Sequence, residues 1–249
     1  MSSRPDLALF AHFVGRPEGE LDLAQAALLL AEPEYPGLDI PRYLAILDHL
    51  GEQARRAAGG EAGLEGMRRV LSFLYEDLGF HGNKEDFKDP RNSFLNEVLE
   101  RRTGIPITLA IVVTEITRRA GIEAQGVSFP DHFLVRMPVE GGLVVVDPFE
   151  GRMLDADDLR EMAQRATARG APRPPESQLL APASKLQILF RMLVNLRAVY
   201  AERKDANRLR GVVERLSILE PNDAELRRQL YVLGGATPPG PSRGPSGVN

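Results

Sequence analysis

The feature that most constrains the fold is a change of hydrophobic period near residue 124, in a chain whose other apolar residues recur at helical spacing. Before this point, the run ITLAIVVTEITRRA follows Pro106 and continues to Gly121, and it predicts a central buried helix. After it, apolar and polar residues alternate as they do in strands. The predicted strands are 124–129, 132–137 and 143–146, with a hairpin turn at 140–142. A small antiparallel sheet beside a buried helix predicts an α+β fold.

The N-terminal part of the chain predicts helices only. Residues 21–31 are almost wholly apolar and predict a buried helix. Asp39 stands where an N-cap is expected, with Pro41 in the first turn of the helix that follows. A stripe of apolar residues from Leu64 to Leu78 predicts another helix, which Gly79 ends.

Two segments predict connections between these parts. Residues 80–92, rich in turn formers, predict a polar loop, after which Asn92 or Ser93 is the expected cap of a short helix reaching Arg102. Residues 169–183, rich in Pro and Ala, predict a connector.

The C-terminal part again has helical periodicity, in three segments at about 184–203, 206–219 and 223–233. The last residues, 234–249, have the Pro, Gly and Ser content of a disordered tail. The predicted division is therefore a main domain over 1–168, the connector over 169–183, a helical appendage over 184–233, and the tail.

Composition excludes several kinds of chemistry. The 249 residues contain no cysteine, so disulfides, thiolate metal sites and thiol catalysis are not expected. His12, His49 and His81 have no ligand-like spacing, and we expect neither a metal nor another cofactor. The net charge of −4 argues against nucleic-acid binding. No signal peptide and no apolar run of about 18 residues is found, so a soluble cytoplasmic protein away from membranes is expected.

One histidine and one aspartate define the candidate site. His132 begins a predicted strand and Asp147 follows the next one, and a register centred between residues 139 and 140 would place them opposite each other. Neighbouring strands lie about 5 Å apart, so the carboxylate could orient the imidazole as the base of a catalytic triad is oriented. The alternative is a core histidine satisfied by a nearby acid, and the spacing alone leaves both open.

The order of these parts resembles the transglutaminase-like superfamily, which has a papain-like core. In that family a nucleophilic Cys stands two residues after a glycine and four before an alanine, at the start of a buried helix. Gly104 and Ala110 match the flanking positions, and the Cys position is occupied by Pro106. SFPDHFLVRM resembles the strand of the family's His and VVVDPFEG that of its Asp, which gives His132 and Asp147 the base and orienter positions. Without the Cys, the resemblance implies no transglutaminase, peptidase or deamidase activity.

A closer resemblance is to the bacterial SirB-type subfamily, in which tetratricopeptide-like helices follow the transglutaminase-like domain. The phrases that carry it are LDLAQAALLLAEPEYPGLD, NSFLNEVLERRTGIPITLA, FPDHFLVR, DPFEG and LFRMLVNLRAVYAERKDANRLRGVVERLSILEPNDAELRR. The resemblance implies that the C-terminal helices are tetratricopeptide-like. Because about three such repeats are needed for an independent array, we expect these helices to brace the main domain, with a peptide groove as the alternative.

Further residues are candidates for ligand binding beside His132. They are Asn92, Asn96, Glu97, Pro106 and Thr108. The alternatives are helix capping for Asn92, a solvated helix face for Glu97, and a hydroxyl bonded to its own helix for Thr108.

Three functions are compatible with this pattern. The first is a non-catalytic binding or regulatory module for a protein, a peptide or a small polar ligand, with His132 as a hydrogen-bond donor. The second is a hydrolase-type enzyme in which His132, oriented by Asp147, activates water or a hydroxyl. The third is a structural module that binds proteins through its C-terminal helices. The sequence leaves the ligand and the oligomeric state undetermined.

Overall fold

The structure is a computed structural model that describes residues 5–61, 63–171 and 175–234. The chain divides into two compact units, Met1–Met192 and Leu193–Asn249, and the division falls inside one long helix. The predicted boundary between a main domain and a helical appendage remains a prediction.

Four helices open the first unit. They are α1 (Pro5–Val14), α2 (Leu23–Leu29), α3 (Ile40–Ala58) and α4 (Gly63–Ser72). Helix α2 is buried along its length, as predicted. Asp39 caps α3 by accepting a hydrogen bond from the backbone N–H of Arg42 at 3.1 Å, and Pro41 lies in the first turn, also as predicted. After α4 a single π turn, Phe73–Asp77, leads to Gly79, whose φ is +73°.

The segment from 80 to 104 is more structured than the predicted polar loop. Strand β1 (His81–Gly82) pairs in parallel with β2 (Thr103–Gly104), and a 3₁₀ turn, Pro90–Ser93, precedes α5 (Leu95–Arg101). The predicted caps of this helix are wrong. Asn92 and Ser93 lie inside the 3₁₀ turn, which Asp89 caps, and the N-cap of α5 is Phe94. The physical reason is that the side-chain amide of Asn92 is hydrogen-bonded to Asn83 and Asp86, across the loop, and is not available as a cap.

The long buried helix α6 (Pro106–Ala120) has the bounds that the sequence predicts. Pro106 occupies its first position, and Gly121 ends it with a φ of +86°. The side chains from Pro106 to Val113 are all buried. Helix α6 packs on α3, on α5 and on the first strands of the sheet described next.

The sheet has four antiparallel strands in sequential order. They are β3 (Gln125–Val127), β4 (Leu134–Val139), β5 (Gly142–Asp147) and β6 (Arg152–Leu154). The hairpin between β4 and β5 turns at Glu140 and Gly141, as predicted. Strand β6 was not predicted, because its three residues show no alternation long enough to detect.

Strand β4 begins two residues later than predicted. Asp131 has a φ of +56°, and the backbone N–H of His132 donates to the carbonyl of Phe129 at 3.1 Å. This tight turn takes His132 out of the strand and places it on the bend that leads into β4. The predicted register is therefore wrong as well. Val135 pairs with Val146, so that the position opposite Asp147 is that of Leu134.

One face of the sheet is covered by α7 (Ala156–Ala168) and by the short helix α8 (Glu176–Leu179). Its buried cluster consists of Val127, Phe129, Leu134 and Val145, against which Leu154, Leu159, Met162, Ala163, Leu179 and Leu180 pack. The opposite face, which bears Val135, Met137 and Val146, is buried as well. At the outer end of β5, however, Leu143 is exposed, although this strand was predicted to be covered on both sides.

The described residues of the predicted connector are held on the sheet. Arg136 donates to the carbonyl of Leu180 at 2.8 Å, and the backbone N–H of Ala183 donates to the carbonyl of Gly126 on β3 at the same distance. Residues 172–174 lie outside the described part of the chain.

Helix α9 (Lys185–Glu202) begins in the first unit and continues into the second, where α10 (Ala206–Leu219) and α11 (Ala224–Leu233) follow. Asp205 and Asp223 cap these two helices by accepting backbone hydrogen bonds. The three helices were predicted within one or two residues. Their tetratricopeptide-like character remains a prediction, and the predicted tail falls almost wholly outside the described residues. Over the described ranges, no helix has the length and apolar character needed to cross a membrane.

Candidate functional site

A short strand brings the start of α6 to the end of β5. On β1, the backbone N–H of Gly82 donates to the carbonyl of Phe149 at 3.1 Å. The next residue, Asn83, donates its backbone N–H to the carbonyl of Gly104 at 2.9 Å. Phe149 lies two residues after Asp147, and Gly104 lies two residues before Pro106. The segment around Gly82 therefore links the turn after Asp147 to the helix start that carries Pro106.

Two glycines allow these elements to approach so closely. A Cβ atom on Gly82 would lie 2.4 Å from the ring of Phe149, and a Cβ on Gly104 would lie 2.9 Å from Oγ1 of Thr108. Neither contact is sterically acceptable, so both positions require glycine. This gives a steric reason for the glycine that precedes Pro106.

The structure brings His132 and Asp147 together. Nε2 of His132 lies 2.9 Å from Oδ1 of Asp147, and the same oxygen accepts the backbone N–H groups of Phe149 at 2.8 Å and Glu150 at 3.3 Å. The contact forms despite the shifted register, because the bend before β4 leaves the His132 side chain free to reach along the sheet edge. Asp147 is held by the turn that follows β5, so the geometry of the pair is set by two local turns.

The pair also sets the tautomer that a neutral imidazole would adopt. Burial would raise the pKa of Asp147, but the hydrogen bond and charge of His132 and the two backbone donors outweigh it and hold that pKa below its ordinary value. An ionised Asp147 accepts the proton on Nε2, so Nδ1 of a neutral His132 carries the free lone pair. Among the described residues, Nδ1 has no hydrogen-bond partner, and the side chain is 19% exposed. His132 is therefore an imidazole oriented by a carboxylate, with its second nitrogen available.

Two aromatic side chains, Phe149 and Phe87, extend the site. The ring of Phe149 meets that of His132 edge to face, with centroids 6.4 Å apart, and the ring of Phe87 lies 5.9 Å beyond it. Phe87 is 53% exposed, on the loop between β1 and the 3₁₀ turn. The motif DPFEG already marked Phe149, but nothing in the sequence places Phe87 beside His132.

Tyr75 supports the turn that follows β5. Its hydroxyl donates to the carbonyl of Pro148 at 2.6 Å, and a Cβ on Gly151 would lie 2.4 Å from its ring. Burial, with a smaller contribution from the charge of Asp147, raises the pKa of Tyr75, so its hydroxyl stays protonated and donates. Tyr75 thus positions the turn that carries Asp147.

Asn92 and Thr108 are used inside the protein. The amide of Asn92 accepts from Nδ2 of Asn83 at 3.1 Å and donates to the carbonyl of Asp86 at 2.8 Å. The hydroxyl of Thr108 donates to the carbonyl of Asn92 at 2.6 Å and accepts from the backbone N–H of Ile105 at 3.2 Å. Both side chains are fully buried. They hold the 83–92 loop on the start of α6, and a direct contact of either with a ligand remains a prediction that requires these bonds to open.

The other predicted ligand-binding residues differ in their surroundings. Oδ1 of Asn96 is buried without a hydrogen-bond partner among the described residues. Glu97 is half-buried, and burial together with this nearby carboxylate raises the pKa of Tyr35. Pro106 is buried at the start of α6. Across the described ranges, no three His, Asp or Glu side chains are grouped so that they could hold a metal ion.

A buried helix that starts after an obligatory glycine, beside an oriented His–Asp pair at the edge of an antiparallel sheet, is the arrangement of a transglutaminase-like domain. The chain belongs to the transglutaminase-like superfamily, whose family model matches residues 41–194. The match covers α3 to α8 and the first part of α9, and so includes every element of the site. Within the superfamily, sequence identity places the chain with the bacterial UPF0162 proteins.

A UPF0162 protein of Xylella fastidiosa (strain Temecula1) is 43% identical over 212 residues, which is 84% of this chain and 75% of that protein. One of Pseudomonas aeruginosa is 33% identical over 216 residues, 84% of this chain and 77% of its own length. A shorter segment of 83 residues, 33% of this chain, is 36% identical to 13% of the F-box only protein 21 of Mus musculus. No solved structure matches the chain.

Proposed function

We propose that this protein is a non-catalytic, transglutaminase-like binding or regulatory module, in which His132 contacts a polar group of a bound peptide or small ligand. The observation that carries the proposal is Pro106 at the first position of α6, where the superfamily has its nucleophile, together with an ordered His132–Asp147 pair.

Pro106 removes more than a thiol. A proline has no nucleophilic atom, and it also lacks the backbone N–H that any other residue would present at this helix start. Its ring fixes the backbone in place, and the residue is buried. With no cysteine elsewhere in the 249 residues, the chain cannot form the thioester on which the family's acyl transfer depends.

The polarity of His132 differs from the sequence-based prediction. We expected a hydrogen-bond donor, but Asp147 already accepts the proton on Nε2, so the free Nδ1 of the neutral ring is an acceptor. A backbone N–H or a hydroxyl of a ligand is therefore the natural partner. The exposed ring of Phe87, next to Phe149, offers apolar surface beside it.

A second candidate function follows from the same free nitrogen. An imidazole oriented by a carboxylate and partly open to solvent is suited to take a proton from water, as in a hydrolase. This reading needs no thiol, and it uses His132 as the base and Asp147 as the orienter.

One set of proteins separates these functions. Purified wild-type protein, His132→Gln and the matched control His49→Gln, which changes an exposed histidine on α3, are assayed for ester and amide hydrolysis and for amine transfer to glutamine. The same proteins are titrated with a fluorescent library of N-acetylated tetrapeptides.

We expect no turnover by any protein, and peptide binding that is weakened about tenfold in His132→Gln alone, the size of one lost hydrogen bond in a desolvated site. Turnover by wild type that disappears in His132→Gln would instead establish the second candidate. If His132→Gln lowers only the unfolding temperature and binds peptides like wild type, the pair is structural and the proposal is wrong.

A further inference from the structure

One partly buried cationic side chain in the first unit, Arg191, has no hydrogen bond or ion pair with any described residue. Nε of Arg191, on α9, is buried and donates no hydrogen bond to any described residue. Among the described residues, no carboxylate oxygen lies within 4.0 Å of the Arg191 guanidinium, the distance that defines an ion pair. Burial lowers the pKa of Arg191, and the charge of Asp131 opposes this only in part. A charged group that is taken even partly out of water is usually paired, so the unpaired Nε of Arg191 calls for an explanation.

Arg191 faces the segment that carries His132. Ile188 lies one helical turn before Arg191, so the two side chains project from the same side of α9. A Cβ on Gly126 would lie 3.3 Å from Cδ1 of Ile188 and 2.8 Å from the ring of Phe133, which shows that this side of α9 meets β3 next to Phe133. Phe133 directly follows His132. Asp131, the acid whose charge acts on Arg191, directly precedes it.

We infer that Arg191 binds the carboxylate group of a ligand whose backbone N–H or hydroxyl reaches Nδ1 of His132. The inference rests on the proposed binding function and names the chemical class of its ligand. A guanidinium can present its two Nη groups side by side, and this pair of donors matches the two oxygens of a carboxylate. A bound carboxylate would pair with the guanidinium and neutralise the charge that burial disfavours.

The charge of the surroundings favours a carboxylate over a phosphate. Asp131 lies close enough to act on Arg191, so a ligand with two negative charges would meet one cation and one anion. A monoanion pairs with the guanidinium while adding less repulsion from Asp131. A peptide with a free C-terminal carboxylate has both required groups, the carboxylate and a nearby backbone N–H.

The experiment uses the tetrapeptide library in two forms, with a free C-terminal carboxylate and with a C-terminal amide. The full-length proteins are wild type, Arg191→Met, Arg191→Lys and Arg69→Met, the last a control that removes an exposed arginine of α4 paired with Glu65. We expect wild type and Arg69→Met to bind the carboxylate form about tenfold or more tightly than the amide, as one charge-assisted hydrogen bond requires. Arg191→Met should lose this preference, and Arg191→Lys should retain part of it, because lysine keeps the charge without the paired donors.

A second readout does not depend on a ligand. Without peptide, Arg191→Met should unfold at the same temperature as wild type or a higher one, because methionine fills the space without an unsatisfied donor. Strong destabilisation of Arg191→Met would show that the guanidinium has a structural partner and would overturn the inference.

The binding outcomes also separate this inference from the proposed function. Equal binding of the two peptide forms, or an unchanged preference in Arg191→Met, refutes the role of Arg191 while the loss in His132→Gln still supports the binding module. If neither form binds wild type, both proposals fail. If the carboxylate form binds through Arg191 but equally well to His132→Gln, the arginine site stands and the role of His132 does not.

Discussion

At the scale of single residues, Thr108 controls how the loop of residues 83–92 meets the start of α6. Its hydroxyl donates to Asn92 on the 3₁₀ turn and accepts the N–H of Ile105, which is not bonded within the helix. The proline at 106 has no N–H to satisfy, so the hydroxyl of Thr108 serves the residue before it. The sequence-based alternative, in which Thr108 bonds the backbone of its own helix, accounts for two of the three bonds, those with the N–H and the carbonyl of Ile105.

Thr108→Val tests this role while preserving shape. The change leaves the buried carbonyl of Asn92 without this donor and the N–H of Ile105 without its acceptor, so we expect a loss of about 1–3 kcal/mol in the free energy of unfolding. Thr114→Val is the matched control, because its hydroxyl bonds only carbonyls one turn earlier in α6. Urea denaturation followed by circular dichroism measures both. An equal loss in the two variants would mean that the bond across to the loop adds nothing.

At the scale of elements, helices α3 and α6 cross closely. A Cβ atom on Gly51 would lie 2.3 Å from Cβ of Arg119, which leaves no room for a side chain. Around this contact Arg119 pairs with Asp48 of α3 at 2.7 Å and with Glu115 of its own helix, which is buried. The crossing therefore combines a steric requirement for glycine with ion pairs that hold the two helices together.

Gly51→Ala should destabilise the first unit by about 1–3 kcal/mol, because the obstructing atom belongs to the root of a side chain and the helices must separate. Gly211→Ala is the matched control in α10, where the nearest atom to the added Cβ is Nη1 of Arg215 at an ordinary 3.7 Å. There we expect a gain of about 0.5–1 kcal/mol from helix propensity alone. Thermal unfolding of the two variants gives the comparison, and a stabilising Gly51→Ala would contradict the close crossing.

At the scale of the molecule, two buried carboxylates connect the site to stability in acid. Asp147 holds His132 and the turn after β5, while Asp89 caps the 3₁₀ turn and pairs with Arg91 at 2.7 Å. Burial alone would raise the pKa of each, yet their hydrogen bonds and cationic partners outweigh it and lower both pKa values. Because the folded-state pKa values lie below the unfolded ones, both groups stabilise the fold above about pH 4, and this contribution disappears as the pH falls through the folded values.

Asp147→Asn should therefore have a pH-dependent effect. The variant keeps an oxygen that accepts from His132 but loses the charge and the titration. Wild type should exceed it in unfolding free energy at neutral pH, and the difference should shrink as the pH is lowered below about 4. Urea denaturation across this pH range measures the difference. A gap that stays constant with pH would show that ionisation of Asp147 contributes nothing to stability.

The sequence by itself determined the elements whose ends are set by neighbouring residues. Asp39 and Asp155 cap helices through backbone groups two or three residues away, Gly121 ends α6, and the turn at Glu140 and Gly141 closes a hairpin. Each depends on hydrogen bonds or backbone angles within one turn of the chain, so local chemistry suffices. The family resemblance likewise assigns Pro106 to the position of the nucleophile without a structure, because the assignment follows from the order of motifs.

Only the tertiary structure decided how these elements meet. Three features depend on contacts between residues distant in sequence. They are the parallel pair of β1 and β2, the delayed start of β4 and the burial of Nε of Arg191. The use of Asn92 across its loop likewise depends on residues beyond its own turn. Such contacts are decided by packing and by competition among buried polar groups for partners, and neither leaves a periodic signal in the chain. His132 and Asp147 illustrate both cases. The sequence motifs identified the two residues as a pair. The bend at Asp131 and the turn after β5 set the 2.9 Å contact of Nε2 with Asp147 and leave Nδ1 without a partner among the described residues.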